Sequence, residues 1–371
     1  MPRVLVLGGY GVFGSRAAER LLRDSSIEVV IAGRSKTQAA LATERFATEL
    51  KHRISSAQLD ATLLSADDLR RLGVSVVINT VGPYQAQSYR VAEAAIAAGV
   101  HYVDLADARA FVTGITALDA AAKRAGVLVV SGASTVPALA VSVIDDLLPR
   151  FKSIDTLTYG ISPGNSFDPG AATVQSIIAA VGQPFTTLVD GRMEIVHGWQ
   201  PLTRHRFADK ALGTRILGAC DVPDLDLFPA RYPTLRTQRF VAGVEVKAFH
   251  LGLYALSWLV RFGLVRNAGR LGRPLMRAKQ HLGFLGSDRG AMFVELAGTD
   301  AITGAPLTIT WELAAYQSHG PYVPATPAVI LTKRLTAGAL TTHGAMPCLG
   351  LMTRADFFAE IADLDIRQTV L

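Results

Sequence analysis

The sequence predicts an α/β protein in which a doubly wound parallel sheet carries an inserted α+β domain with an antiparallel sheet. Three observations point there. The apolar run of residues 4–7 ends in a glycine-spaced turn, where Gly9, Gly11 and Gly14 fit G-x-G-x-x-G. Apolar strand candidates then alternate with helical patterns as far as Ser131, the order that implies parallel strands joined by crossover helices. Past Ser131 that rhythm gives way to longer, polar-alternating strand candidates. At 371 residues the chain exceeds one ordinary core, so more than one domain is expected.

The elements follow in chain order. Residues 16–23 read as an amphipathic helix carrying Ala17, Ala18, Leu21 and Leu22, and residues 28–32 as a second apolar strand ending in Gly33-Arg34-Ser35. Helix 38–50, strand 55–59 and helix 65–72 come next, the last with acidic residues in its early turns. Residues 74–79 form a β-branched run, residues 89–98 an alanine-rich helix closed by Gly99, and strands 100–105 and 127–131 flank a helix over about 110–125. A helix over about 136–148 opens the second region, with strand candidates at 155–161, 292–296 and 306–311. A polar turn at 301–304 separates the last two, which marks a hairpin. Helices over 327–335 and 354–362 end the pattern. The expected division is a dinucleotide-binding Rossmann domain over 1–134, an α+β domain over 135–325, and a C-terminal segment, 326–371, returning to the first domain.

Composition narrows the classes. Half of the residues are hydrophobic and 18% are charged, a globular balance that gives no support to long disorder. The net charge of +6 is modest and mostly dispersed, so nucleic acid is not suggested. Cys220 and Cys348 stand far apart, which argues against a disulfide framework or a paired-cysteine metal site. No secretory signal pattern follows Met1, and cytoplasmic residence is the expectation.

The glycine turn has a physical reading. Gly9 allows the tight turn, Gly11 lets the backbone approach a pyrophosphate, and Gly14 permits close helix–strand packing, with the phosphates at a helix N-terminus. At the end of the second strand, where an NAD site places a carboxylate for the ribose hydroxyls, this chain has Gly33-Arg34-Ser35. The planar donor fork of Arg34 suits a 2′-phosphate, and Ser35 and Lys36 add a hydroxyl and a second positive charge, so NADP is the expected cofactor. Asp60 follows the third strand and can meet the adenosine or cap a helix. The strand 74–79 runs into Thr80-Val81-Gly82-Pro83-Tyr84, a turn expected to face the cofactor from a strand's carboxyl end. Alternation puts Tyr102 and Asp104 on one face, with Asp107 in the loop above. Tyr84, Tyr102 and Asp104 are the acid–base candidates, with structural hydrogen bonding the competing use of Asp104.

On the segments Gly8-Gly9-Tyr10-Gly11-Val12-Phe13-Gly14, Ala32-Gly33-Arg34, Asn79-Thr80-Val81-Gly82-Pro83-Tyr84, His101-Tyr102-Val103-Asp104-Leu105 and Ser131-Gly132-Ala133-Ser134-Thr135-Val136-Pro137, the chain resembles the saccharopine dehydrogenase-like family, in particular its bacterial NADP-binding members. The likeness continues more loosely through 285–290 and 344–348. It implies a Rossmann domain, an inserted α+β domain that shapes a substrate cleft and often dimerises, and a returning C-terminal segment. It also implies that Gly9, Tyr10, Gly11, Val12 and Phe13 hold the pyrophosphate, Arg34 and Ser35 the 2′-phosphate, and Val81 to Tyr84 the approach to the nicotinamide, while Ser131 to Thr135 line the cleft. Ala106-Asp107-Ala108 stands where relatives often carry Gly-Glu, so a role for that glutamate does not carry over. The implied activity is hydride transfer between NADP(H) and a C=N, C=O or C=C bond of a small molecule. The alternative is a non-catalytic NADP-binding sensor or membrane-associated scaffold.

Other patterns are weaker. His197, Trp199 and His205 lack a matching carboxylate or cysteine spacing and read as packing and surface residues, so no metal site is indicated. No tyrosine begins Y-x-x-x-K, the usual short-chain dehydrogenase relay. The apolar stretch 251–260, followed by Arg261, Arg266, Arg270, Arg273 and Arg277, resembles an interfacial amphipathic helix, and a helical cover or dimer face is the other reading. The expected partners are a small-molecule substrate and a second copy of the chain, with peripheral membrane contact through 251–277 as the alternative use of that stretch.

Overall fold

The computed structural model describes residues 1–46, 48–166, 170–266, 268–271 and 283–371. Two compact units result, Met1–Val141 with Pro321–Glu360, and Ser142–Gly320 with Ile361–Leu371.

The chain starts with β1 (Arg3–Leu7), α1 (Val12–Leu22), β2 (Glu28–Gly33), α2 (Lys36–Glu44), β3 (Ile54–Gln58), α3 (Ala66–Leu72) and β4 (Val76–Asn79). It continues with α4 (Arg90–Ala98), β5 (His101–Asp104), α5 (Arg109–Gly114), α6 (Asp119–Ala125) and β6 (Leu128–Ser131). The second unit holds most of α7 (Ala140–Leu147), then β7 (Phe151–Ser162), α8 (Ala171–Ala180), β8 (Pro184–Val189), β9 (Arg192–His197), β10 (Thr203–Arg206) and β11 (Thr214–Ala219). After these come α9 (Asp224–Arg231), β12 (Thr237–Ala242), α10 (Lys247–Arg261), β13 (Gly290–Asp300) and β14 (Pro306–Ala315). The chain closes with α11 (Tyr322–Thr336), β15 (Gly344–Pro347), α12 (Arg354–Glu360) and β16 (Ile366–Val370).

In the first unit seven strands make one parallel sheet in the order β15-β6-β5-β4-β1-β2-β3. Val4, Leu5, Val6 and Leu7 are wholly buried, as are Val77 and Ile78, because helices cover both faces; such strands read as continuous apolar runs. The strand order reverses between β1 and β4, the position at which doubly wound sheets open a crevice beyond their carboxyl ends. Leu7 pairs with both Ala32 and Asn79, and Asn79 with Asp104, so four strand ends lie level at that edge. α3 begins with a reciprocal cap between Ser65 and Asp68 and stops at Gly73, whose φ of 61° suits a residue without Cβ. The helix expected over 110–125 is broken into α5, a 3₁₀ turn at Ile115–Leu118, and α6. The expected helix 38–50 ends its α-helical part at Glu44.

The second unit centres on a mixed sheet in the order β10-β11-β12-β7-β13-β14-β16, with β7–β12 parallel and the other pairs antiparallel, beside a separate β8–β9 ribbon. The expected hairpin is β13–β14: Asp300 Oδ1 accepts from the N–H groups of Ile302 and Thr303 and so shapes the turn. Phe207, Leu217, Val241, Phe293 and Ala314 pack together on this sheet. The C-terminal stretch is shared. α11, β15 and α12 build onto the first unit, whereas β16 pairs with β14, so residues 361–371 join the second unit instead of returning with the rest.

Candidate functional site

The turn after β1 is shaped by what its glycines exclude. Gly8 adopts a φ of 81°, and its N–H donates to Ala32 O at 2.8 Å. A Cβ on Gly14 would lie 2.4 Å from Gly8 O and 2.8 Å from Thr80 Oγ1, and one on Gly9 would lie 2.8 Å from Val6 O. These two glycines close the turn onto strand and helix. Gly11 differs: a Cβ there would meet only Gly8 O, at 3.0 Å, and otherwise open space. That open side adjoins Val12 and Phe13 at the start of α1, whose first turn carries no acidic residue to offset the positive end of the helix dipole.

At the end of β2, a Cβ on Gly33 would lie 2.4 Å from Tyr10 Cε1, so the Tyr10 ring lies over Gly33. Tyr10 Oη accepts from the Ser35 N–H at 3.2 Å, and Ser35 Oγ caps α2 by accepting from Gln38 N–H at 3.2 Å. The glycine turn and the Arg34–Ser35 corner are thereby joined through one tyrosine. Arg34 is exposed. Asp60 is turned inward on its own loop, where Oδ1 accepts from Thr62 N–H and Oγ1; those bonds, with the Arg34 charge adding, hold its carboxyl below the usual range.

The ends of β4, β5 and β6 carry a buried polar network. Asn79 is its hub: Nδ2 donates to Tyr102 Oη at 3.2 Å, Oδ1 accepts from Val81 N–H at 3.1 Å, and its carbonyl accepts from Tyr84 Oη at 2.8 Å. Thr80 Oγ1 donates to Leu7 O, and Gln87 Nε2 donates to the carbonyls of Val81 and Pro83, which pins the loop around the cis Gly82–Pro83 peptide. Asp104 Oδ1 accepts three bonds, each 2.9 Å, from Ala106 N–H, Ser131 Oγ and Gly132 N–H. Its Oδ2 is buried and makes no well-formed hydrogen bond among the described residues, although the neighbouring Tyr102 phenol favours the charged carboxyl. Burial pushes this carboxyl up to about 6 despite the donors around Oδ1. Burial first, then the Asp104 charge, raises the Tyr84 and Tyr102 phenols well above their ordinary range. Asp107 has a solvent-exposed surface on the loop above, yet the surrounding protein raises its carboxyl as well and its charge adds to the shift of Tyr84.

Sequence reasoning named Tyr84, Tyr102, Asp104 and Ser131 but overlooked two partners. Asn79 is a polar residue ending an apolar run, a signal that was available. Cys348 is buried, its thiol pushed up by burial and the Asp104 charge, and its N–H donates to Ser131 O at 2.8 Å. Only the pairing of β15 with β6 brings it there. In the second unit His205 Nε2 lies 2.8 Å from Glu312 Oε1 and its ring stacks on Phe293, a structural pairing within the sheet.

A glycine turn at a sheet's switch point, followed by an arginine at the next strand end, defines a dinucleotide-binding α/β protein. Residues 4–130 match the family model described as the saccharopine dehydrogenase NADP binding domain. That match is to an NADP-binding domain in the first part of the chain, and NADP is the cofactor it supports. No curated protein matches the sequence. Among solved structures, the fold is shared with a saccharopine dehydrogenase (L-Glu forming) from Saccharomyces cerevisiae, at 15% identity and a TM-score of 0.71, over 100% of both chains. It is also shared with an amine dehydrogenase from Mycobacterium smegmatis, at 14% identity and a TM-score of 0.51, over 94% of each chain.

Proposed function

We propose that the protein is an NADP(H)-dependent oxidoreductase that moves a hydride between the cofactor and a C=N, C=O or C=C bond of a small molecule. The observation that carries this reading is Asp104: a buried carboxyl at the carboxyl-end edge of the sheet, with one oxygen held by three donors and the other lacking a well-formed bond beside the Tyr102 phenol. A carboxyl poised near pH 6 is suited to hold and release a proton at Oδ2, while Oδ1 fixes its orientation.

The remaining assignments follow from position. The peptide groups of Gly9, Tyr10, Gly11, Val12, Phe13 and Gly14 would hold the pyrophosphate, Arg34 and Ser35 the 2′-phosphate, and Asp60 the adenosine side. Thr80, Val81, Gly82, Pro83, Tyr84 and Ser131 would border the nicotinamide, whose C4 supplies or accepts the hydride. Tyr84 and Tyr102 share Asn79 and keep the Asp104 cluster in register; with phenols this far above their ordinary range, they orient and donate hydrogen bonds and do not ionise. The proton that accompanies hydride transfer is assigned to Asp104.

The test supplies the full chain with NADPH deuterated at C4 and a metabolite extract, and follows deuterium by mass spectrometry. A product carrying one deuterium per turnover is expected, with its yield strongly reduced in Asp104→Asn. NADPH that binds and never passes its label to any product would contradict the reading and favour a non-catalytic sensor.

A further inference from the structure

α10 is built the wrong way round for a helix that serves only its own core. Of its fifteen residues, the two that are fully buried are His250 and Ser257, both polar. His250 packs against the Trp199 ring at 5.1 Å, and Ser257 Oγ accepts from Gln200 Nε2 at 2.9 Å. The outward stripe, Ala248, Leu251, Gly252, Ala255, Leu259 and Phe262, is exposed and carries no charge. Its spacing of three and four residues keeps it on one face of a helix about 22 Å long. Phe262, the residue that caps α10 and ends the stripe, is 68% exposed and Leu264 beyond it is 72% exposed, so this end lies largely in water. A core helix would place those side chains inward.

The charges decide what covers the stripe. Lys247, Arg261 and Arg266 border it and are exposed, and residues 246–266 contain no aspartate or glutamate. Arg261 also lies over the Trp258 ring at 5.0 Å, where an amphipathic aromatic flanks the apolar face. A second copy docking through the same patch would set cation against cation, since a two-fold interface repeats its surface on both partners. A surface that is apolar inside and negative at its rim matches both features. We infer that α10 docks on the surface of an anionic lipid bilayer, with the Leu251–Leu259–Phe262 stripe among the acyl chains and the basic residues at the headgroups. Arg273 and Arg277, which extend the basic pattern in the sequence, lie outside the described residues.

Vesicle flotation of the full chain tests this, comparing phosphatidylcholine alone with phosphatidylcholine containing phosphatidylserine. Flotation with the anionic vesicles only is expected, and it should fall as salt rises from about 0.1 to about 1 M and the Debye length shrinks from about 10 to about 3 Å. The double variant Leu259→Glu, Phe262→Glu should lose the bound fraction by about tenfold or more. Its thermal midpoint and NADPH affinity, measured alongside, should stay those of the unaltered protein. Equal flotation with both lipids, or none with either, overturns the inference. In the second case light scattering that finds a dimer dissociated by the double variant would assign the stripe to a second copy.

Discussion

Asp104 and Arg34 give predictions that single substitutions can read. In the folded protein Asp104 titrates at about 6, against about 3.9 when unfolded, so the folded state holds the proton more tightly. The stability this gives is complete below about pH 4 and is lost as pH rises through about 6. A shift of about two units corresponds to on the order of 3 kcal/mol. Asp104→Asn keeps an acceptor for Ser131, Ala106 and Gly132, so it should remove most of that slope from denaturant unfolding measured at pH 4 and at pH 7. An unchanged slope would mean that the carboxyl is not the titrating group. For Arg34→Ala, direct titration should show NADPH affinity falling by about tenfold or more, with NADH binding almost unchanged, the loss expected of one charge-assisted phosphate contact. A similar loss for both cofactors would place Arg34 elsewhere.

At the scale of elements, the glycine turn separates packing from binding. Gly14→Ala puts a methyl 2.4 Å from Gly8 O and should lower stability by about 1–3 kcal/mol, seen as a reduced thermal midpoint. Gly11→Ala meets open space on most sides and should leave the midpoint in place while weakening NADPH binding, because the methyl faces the start of α1. The strands of the first unit were legible because two covered faces leave Val, Ile and Leu in unbroken runs, as in β1 and β4. β9 and β10 were not: their exposed Arg192, Glu194, Arg204 and Arg206 give neither an apolar run nor a clean alternation. The break in the 110–125 helix also escaped, because its cause is distant. Tyr89 Oη donates to Phe111 O at 2.7 Å and occupies the space where a Cβ on Gly114 would stand.

For the whole molecule, the glycine turn and the strand ends beside it were legible and the polar network there was only partly so. Glycine spacing and the residue after β2 are local signals, whereas the meeting of Asn79, Tyr102, Asp104 and Ser131 depends on strand order, and Cys348 arrives from over two hundred residues away. The second unit holds its own buried acid. Asp224 is wholly buried and pushed up to about 8 by burial, so it contributes stability below about pH 4 that is lost as pH rises to about 8. Asp224→Asn should therefore flatten the decline in thermal midpoint between pH 6 and 9. No helix among the described residues is long and apolar enough to cross a membrane. Everything assigned to the chemistry rests on NADP lying along Gly9–Gly14 with its 2′-phosphate at Arg34. Equilibrium titration of the full chain with NADPH and with NADH tests this most directly. NADPH should bind tighter by about tenfold or more, and NADH binding as tightly or more so would contradict it.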